Sequence, residues 1–192
     1  MNHEDHDRAL HEAGHLVVLH HVFGGLRERE LVINFVTIEP SGNSGGAVNW
    51  NPGAERDPHK QFMVAAAGFF ANVNDGMSLE LAKAAALDDF EQLDALKLTA
   101  EKEQELTESL ICIILQLTPV IRAVADELRT WRTFFGIEGL GVVEAALTDD
   151  EAVRRTLAKY RAERDESGPH NEWGERGPWY ETFDEWCLRT SR

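Results

Sequence analysis

Asp5-His6-Asp7-Arg8-Ala9-Leu10-His11-Glu12-Ala13-Gly14-His15-Leu16-Val17-Val18-Leu19-His20-His21-Val22-Phe23 reads as a single helix, and five of its residues carry chemistry. His11 and His15 are four apart, so on a helix they stack on one face and both imidazoles can reach one ion. Glu12 stands about 100° round from His11, near enough to hold a water but not to ligate. A zinc ion held by two imidazoles brings its water's pKa toward about 7, and a neighbouring carboxylate can then take the proton. Solvated histidines on a surface helix would read the same way in isolation. The run Leu16-Val17-Val18-Leu19 argues instead for a buried helix, which has no need of His-Glu-His. Gly14 costs about 1 kcal/mol against alanine inside a helix, which implies a close approach to the backbone there.

The remainder of the chain supports a mostly helical α+β fold with a small sheet beside this helix. Gly24-Gly25 stops the helix, and Leu31 to Ile38 reads as a strand ended by Pro40. A turn-rich stretch, Ser41 to Gly46, leads to a second strand, Ala47 to Trp50. Asp57-Pro58 forms a cap and first turn. The helix behind it, Gln61 to Val73, carries the small run Ala65-Ala66-Ala67-Gly68. Ser78 to Ala86 is helical in composition. Asp88 with Glu91 resembles a capping box, which predicts a helix from about Asp89 to about Glu105. Leu106 to Leu117 and Val120 to Trp131 flank Pro119, which is expected to kink or divide them. Ile137 to Leu147 and Asp149 to Arg164 give two more helices. From Asp165 the helical period ends, and Trp173, Trp179, Tyr180, Phe183 and Trp186 fall in a Gly- and Pro-containing tail.

Composition narrows the function. With 192 residues, the chain can bury a proper core. Its net charge of −15 disfavours nucleic acid and anionic membrane surfaces as partners. Two distant cysteines, Cys112 and Cys187, make no disulfide framework and suit a reducing compartment. The polar start, Met1 to Asp5, has no signal-peptide character. The apolar run Leu110 to Ile121 is too short by itself to span a bilayer. A soluble, cytoplasmic protein is expected.

A catalytic zinc also needs a third protein ligand. One zincin class takes it from a histidine six residues after the second, the place of His21. That class breaks its helix at a glycine three residues after the second histidine, where Val18 stands here; a β-branched residue resists the left-handed turn, so this class is rejected. His20 and His21 are then surface or core-edge residues, and His3 and His6 are expected to be solvated. A downstream acid remains: Glu80, Glu91 or, better placed at a helix start, the pair Asp88-Asp89, one of which can cap while the other binds.

Ala9 to Val18 resembles the peptidase domain of FtsH-type AAA+ zinc proteases. The resemblance extends through Phe35 to Pro40, then Gly45 to Val48, then Ala65 to Ala71, and Asp88-Asp89-Phe90-Glu91 aligns with the helix opening that supplies the family's third ligand. It covers about residues 8 to 147. It implies a zinc metallopeptidase in which His11, His15 and Asp89 hold Zn2+ and Glu12 is the general base. An extended polypeptide substrate would add to the edge strand at Gly46, Ala47 and Val48. The chain departs from the family in three ways. Ala71-Asn72 stand near the place of an acidic residue, neither an ATPase module nor a membrane anchor is expected from the sequence, and the tail has no counterpart. Residues 1–147 are therefore expected to form the peptidase domain and 148–192 an extension. A separate ATPase or adaptor is the expected partner for stable substrates. The rival expectation is a non-catalytic, metal-binding interaction module that keeps the fold.

Overall fold

Helix α1, His3–Phe23, is the axis of the molecule: every side chain from Ala9 to His20 is buried. In a computed structural model that describes residues 3–24, 32–40, 45–51, 57–136 and 138–166, the chain is mostly helical with one small sheet. Helix α1 ends at Gly24, whose φ of 81° only glycine adopts without strain. Strand β1, Val32–Thr37, follows, then β2, Ala47–Asn51. These two predicted strands pair antiparallel, with Val36 opposite Val48 and a register shift between Ile33 and Phe35. The tail carrying Trp173, Trp179 and Trp186, and the turn at residues 41–44, lie outside the described residues.

A third strand was not legible in the sequence. Thr133–Phe135 forms β3 on the far side of β1, giving the order β2-β1-β3 with Phe134 opposite Val36. Three residues carry too little period to be read as a strand, and a tertiary contact creates this one. Arg132 turns the chain out of the preceding helix at φ 63°, and its carbonyl accepts from the Ile38 amide at 3.0 Å. Its guanidinium meets Asp5 at 3.0 Å and Glu39 at 2.6 Å, so one residue ties the sheet to the start of α1. Ile33, Val36, Ile38 and Phe134 are buried, consistent with one face of the sheet covering the core.

Helix α2, Pro58–Asn74, starts as predicted, with the Asp57 carboxylate accepting from the His59 amide at 2.8 Å. It packs more closely on α1 than ordinary side chains allow. A Cβ on Gly14 would stand 2.7 Å from the Ala71 Cβ and 2.9 Å from the Ala67 carbonyl. The glycine and the alanine-rich run are thus two halves of one contact.

Helix α3, Leu79–Ala85, is capped by Ser78. Helix α4, Leu87–Ala95, differs from expectation at both ends. Its cap position is Ala86, neither Asp88 nor Asp89 caps it, and it stops well before Glu105 because Lys97 adopts φ 52°. Helix α5, Ala100–Trp131, begins anew behind a Thr99 cap and runs unbroken through Pro119. Proline removes one hydrogen bond, but Ile114, Ile121, Val124 and Leu128 are buried on both sides of it and hold the axis together. Because the helix continues, an 18-residue window of α5 reaches mean hydropathy 1.6, so this is one helix among the described residues long and apolar enough to cross a membrane. Helices α6, Glu138–Thr148, and α7, Glu151–Glu166, complete the described chain. Arg161 of α7 is half-buried against Glu138 at 2.7 Å and Glu127 at 3.0 Å, and stacks on Trp131.

Candidate metal centre

The facing side of α1 presents His11, Glu12 and His15 to a cleft of about 1220 Å³. Strand β2 with Gly45 and Gly46 forms one lip, and Leu81, Ala84 and Asp88 of α3 and α4 form the other. Asp89, in the first turn of α4, reaches across to the histidines. Its Oδ2 lies 2.9 Å from His11 Nε2 and 3.3 Å from His15 Nε2, and the two Nε2 atoms are 3.0 Å apart. Helical spacing brings the histidines together; α2, α3 and the bend at Ala86 bring the carboxylate.

These three atoms fit a metal ion on several independent grounds. Ligands about 2.0–2.1 Å from a tetrahedral zinc stand roughly 3.3 Å apart, close to the edges of this triangle. Asp89 Oδ2 is buried and faces the two imidazole Nε2 atoms. His15 Nδ1 donates to the Val64 carbonyl at 2.7 Å, which leaves Nε2 facing the other two ligand atoms. Space for the ion is provided by Gly68 of α2. A Cβ there would stand 2.5 Å from His15 Nε2 and 2.7 Å from His11 Nε2, in the hollow that an ion needs. His11, His15 and Asp89 can therefore hold a metal ion.

Electrostatics follow from this crowding. Burial holds His11 below the ordinary histidine range, against the pull of Asp89. Burial acts on His15 in the same direction, but the Asp89 charge and hydrogen bond, Glu12 and the Val64 carbonyl outweigh it and push His15 up to about 9. Burial would raise Asp89, yet the two imidazoles hold it well below the usual carboxylate range. Glu12 is buried, and burial pushes it up to about 8. Without an ion, the cluster keeps its charge balance with protons. An ion would take their place.

Gly46 and Glu12 touch across the cleft. A Cβ at position 46 would meet Glu12 Oε1 at 2.6 Å and the Thr37 carbonyl at 2.8 Å, so only glycine lets this lip lie against the carboxylate. Ala47 and Val48 continue along the same lip. Of the other candidates, Asp88 lines the cleft without joining the cluster, and Glu80 and Glu91 are exposed. His20 is buried and paired with Glu144 at 3.1 Å, while His21 is exposed, so neither belongs to the site. His6 is not simply solvated: its Nε2 lies 3.3 Å from Asp75, which also binds Arg122. Sequence reasoning gave no role to two contributors, Gly68 and Asn72, although the resemblance marked the neighbourhood of Asn72. Gly68 at the end of an alanine run signalled close packing but not against what. Asn72, almost fully buried, places Nδ2 3.5 Å from His11 Nδ1.

Comparison with protein-family models, curated proteins and solved structures finds no match for this chain.

Proposed function

We propose that this chain is a zinc-dependent metallopeptidase with a zincin-like, FtsH-like fold, acting on unfolded or short polypeptides. The observation that carries the reading is the convergence of His11, His15 and Asp89 on one point, with Glu12 one residue away in the same cleft. Two imidazoles, one carboxylate and an accessible side form the donor set of a catalytic zinc. Zinc bound there supplies a water acidified toward about pH 7 and a Lewis acid for the scissile carbonyl.

The chain's own residues do the rest. His15 is fixed by the Val64 carbonyl, which leaves its Nε2 free to hold the ion. Glu12 accepts the proton of the attacking water and returns it to the leaving amine. Burial disfavours the Glu12 charge in the metal-free site, and a cation held beside it would favour the carboxylate that accepts the proton. Strand β2 is at the sheet edge, flanked only by β1 among the described residues, and its lip borders Glu12. An extended peptide added along Gly46, Ala47 and Val48 would bring its carbonyls over the cluster through main-chain hydrogen bonds, with weak sequence selectivity. The proposal includes a cytoplasmic setting and a separate ATPase or adaptor for folded substrates.

The test is cleavage of casein by the zinc-loaded protein beside Glu12→Gln at matched zinc content. Cleavage that vanishes in the variant supports the peptidase. Zinc bound in both with no cleavage by either favours the rival, a metal-binding interaction module.

A further inference from the structure

Asn72 is the residue of this site whose chemistry is least accounted for. It stands on α2, one turn beyond Gly68, and is 2 % exposed. Its Nδ2 faces His11 Nδ1 at 3.5 Å, and its Oδ1 is buried with no partner. An amide has a donating and an accepting end, and these can be exchanged by rotation about one bond. A neutral imidazole also has one donor and one acceptor nitrogen.

His11 needs opposite arrangements in its two states. While its Nε2 carries the proton and donates to Asp89 at 2.9 Å, its Nδ1 is an acceptor, and the Asn72 Nδ2 is the matching donor. To ligate a metal, Nε2 must present its lone pair, so the proton moves to Nδ1. That N–H then opposes the Asn72 N–H, unless the amide turns over and offers Oδ1.

We propose that Asn72 is a two-way positioning residue for His11, donating to Nδ1 in the metal-free protein and accepting from it in the metal-loaded one. This rests on His11 being a metal ligand. Turning over exchanges one unpartnered amide atom for another, so neither state is strongly preferred. A carboxylate at the same place accepts only and commits His11 to the ligating tautomer. An amide therefore holds the metal less tightly than an acid would, and more tightly than a side chain with no polar atom.

The experiment compares wild type, Asn72→Asp and Asn72→Leu by two readouts. The first is zinc affinity by competition with a chromophoric chelator. The expected order is Asp tighter than Asn, and Asn tighter than Leu by about 10–100-fold, the usual effect of losing a ligand's outer partner. The second is the ring-nitrogen NMR shifts of His11 in metal-free protein, expected to report Nε2–H in wild type and Nδ1–H in Asn72→Asp. Equal zinc affinities with an unchanged tautomer overturn the proposal. If Asn72→Asp does not fold, Asn72→Leu carries the affinity test alone, and affinity equal to wild type overturns it. Absence of zinc binding by wild type defeats the metal-centre reading instead, while the metal-free tautomer still tests the amide's pairing.

Discussion

His11 Nε2 and Asp89 Oδ2 lie 2.9 Å apart although β1, β2, α2 and α3 separate them in sequence. The pair joins a deeply buried helix to a thinly held one. Helix α4 has no buried residue: its Phe90 packs on a satellite cluster of Phe69, Ala82 and Ala86, and its half-buried Leu93 on the main core. An ion shared by these helices would add a further fastening.

Zinc is accordingly expected to stabilise the fold. At a free concentration 100 times its Kd, it should contribute about 2.7 kcal/mol, which for a chain of this size raises the thermal midpoint by roughly 5–10 °C. Asp89→Ala should lose this response in differential scanning calorimetry, and His11→Ala and His15→Ala should lose it equally. A full response in Asp89→Ala would exclude Asp89 as the third ligand.

Gly68→Ala isolates the hollow from the ligands. Alanine favours the helix by up to about 1 kcal/mol, so α2 should form, yet its Cβ would meet both Nε2 atoms. Far-UV circular dichroism like that of wild type, with zinc content near zero after dialysis, is the expected result. Normal zinc content would show that the ion sits elsewhere.

Glu12 gives the metal-free protein a defined pH dependence. Its folded value is pushed up to about 8 by burial, against 4.5 for an ordinary glutamate. Between these values, the folded state binds a proton that the unfolded state lacks, so stability falls as pH rises through this window. Glu12→Gln removes this term. The variant should be more stable than wild type at pH 9 by on the order of a few kcal/mol, and the gap should close toward pH 4.5. Urea denaturation of both proteins across that range decides it, and parallel curves would contradict it.

Gly14→Ala should destabilise despite the better helix propensity. Its Cβ would press on the Ala67 carbonyl and the Ala71 Cβ, backbone and short side chain that cannot swing aside. Overpacking of this kind costs about 1–3 kcal/mol, more than the roughly 1 kcal/mol that alanine gains in a helix. A lower urea midpoint checks this, and an unchanged or higher one would mean that α1 and α2 can separate without cost.

The sequence alone determined whatever depends on near neighbours. Helical spacing put His11 and His15 on one face with Glu12 beside them, glycine ended α1, β-branched runs marked β1 and β2, and the Asp57-Pro58 cap started α2. Tertiary structure decided what depends on distant parts of the chain meeting. It made a strand of Thr133–Phe135 by laying it beside β1, and kept α5 continuous across Pro119 by burying both flanks. It broke the chain at Lys97 and left the acidic pair at the start of α4 without a capping role. It also turned Gly68 and Asn72 into parts of the site, because a hollow and an amide opposite an imidazole exist only once α2 lies against α1. Local periodicity records which face a residue occupies; only packing records what that face meets.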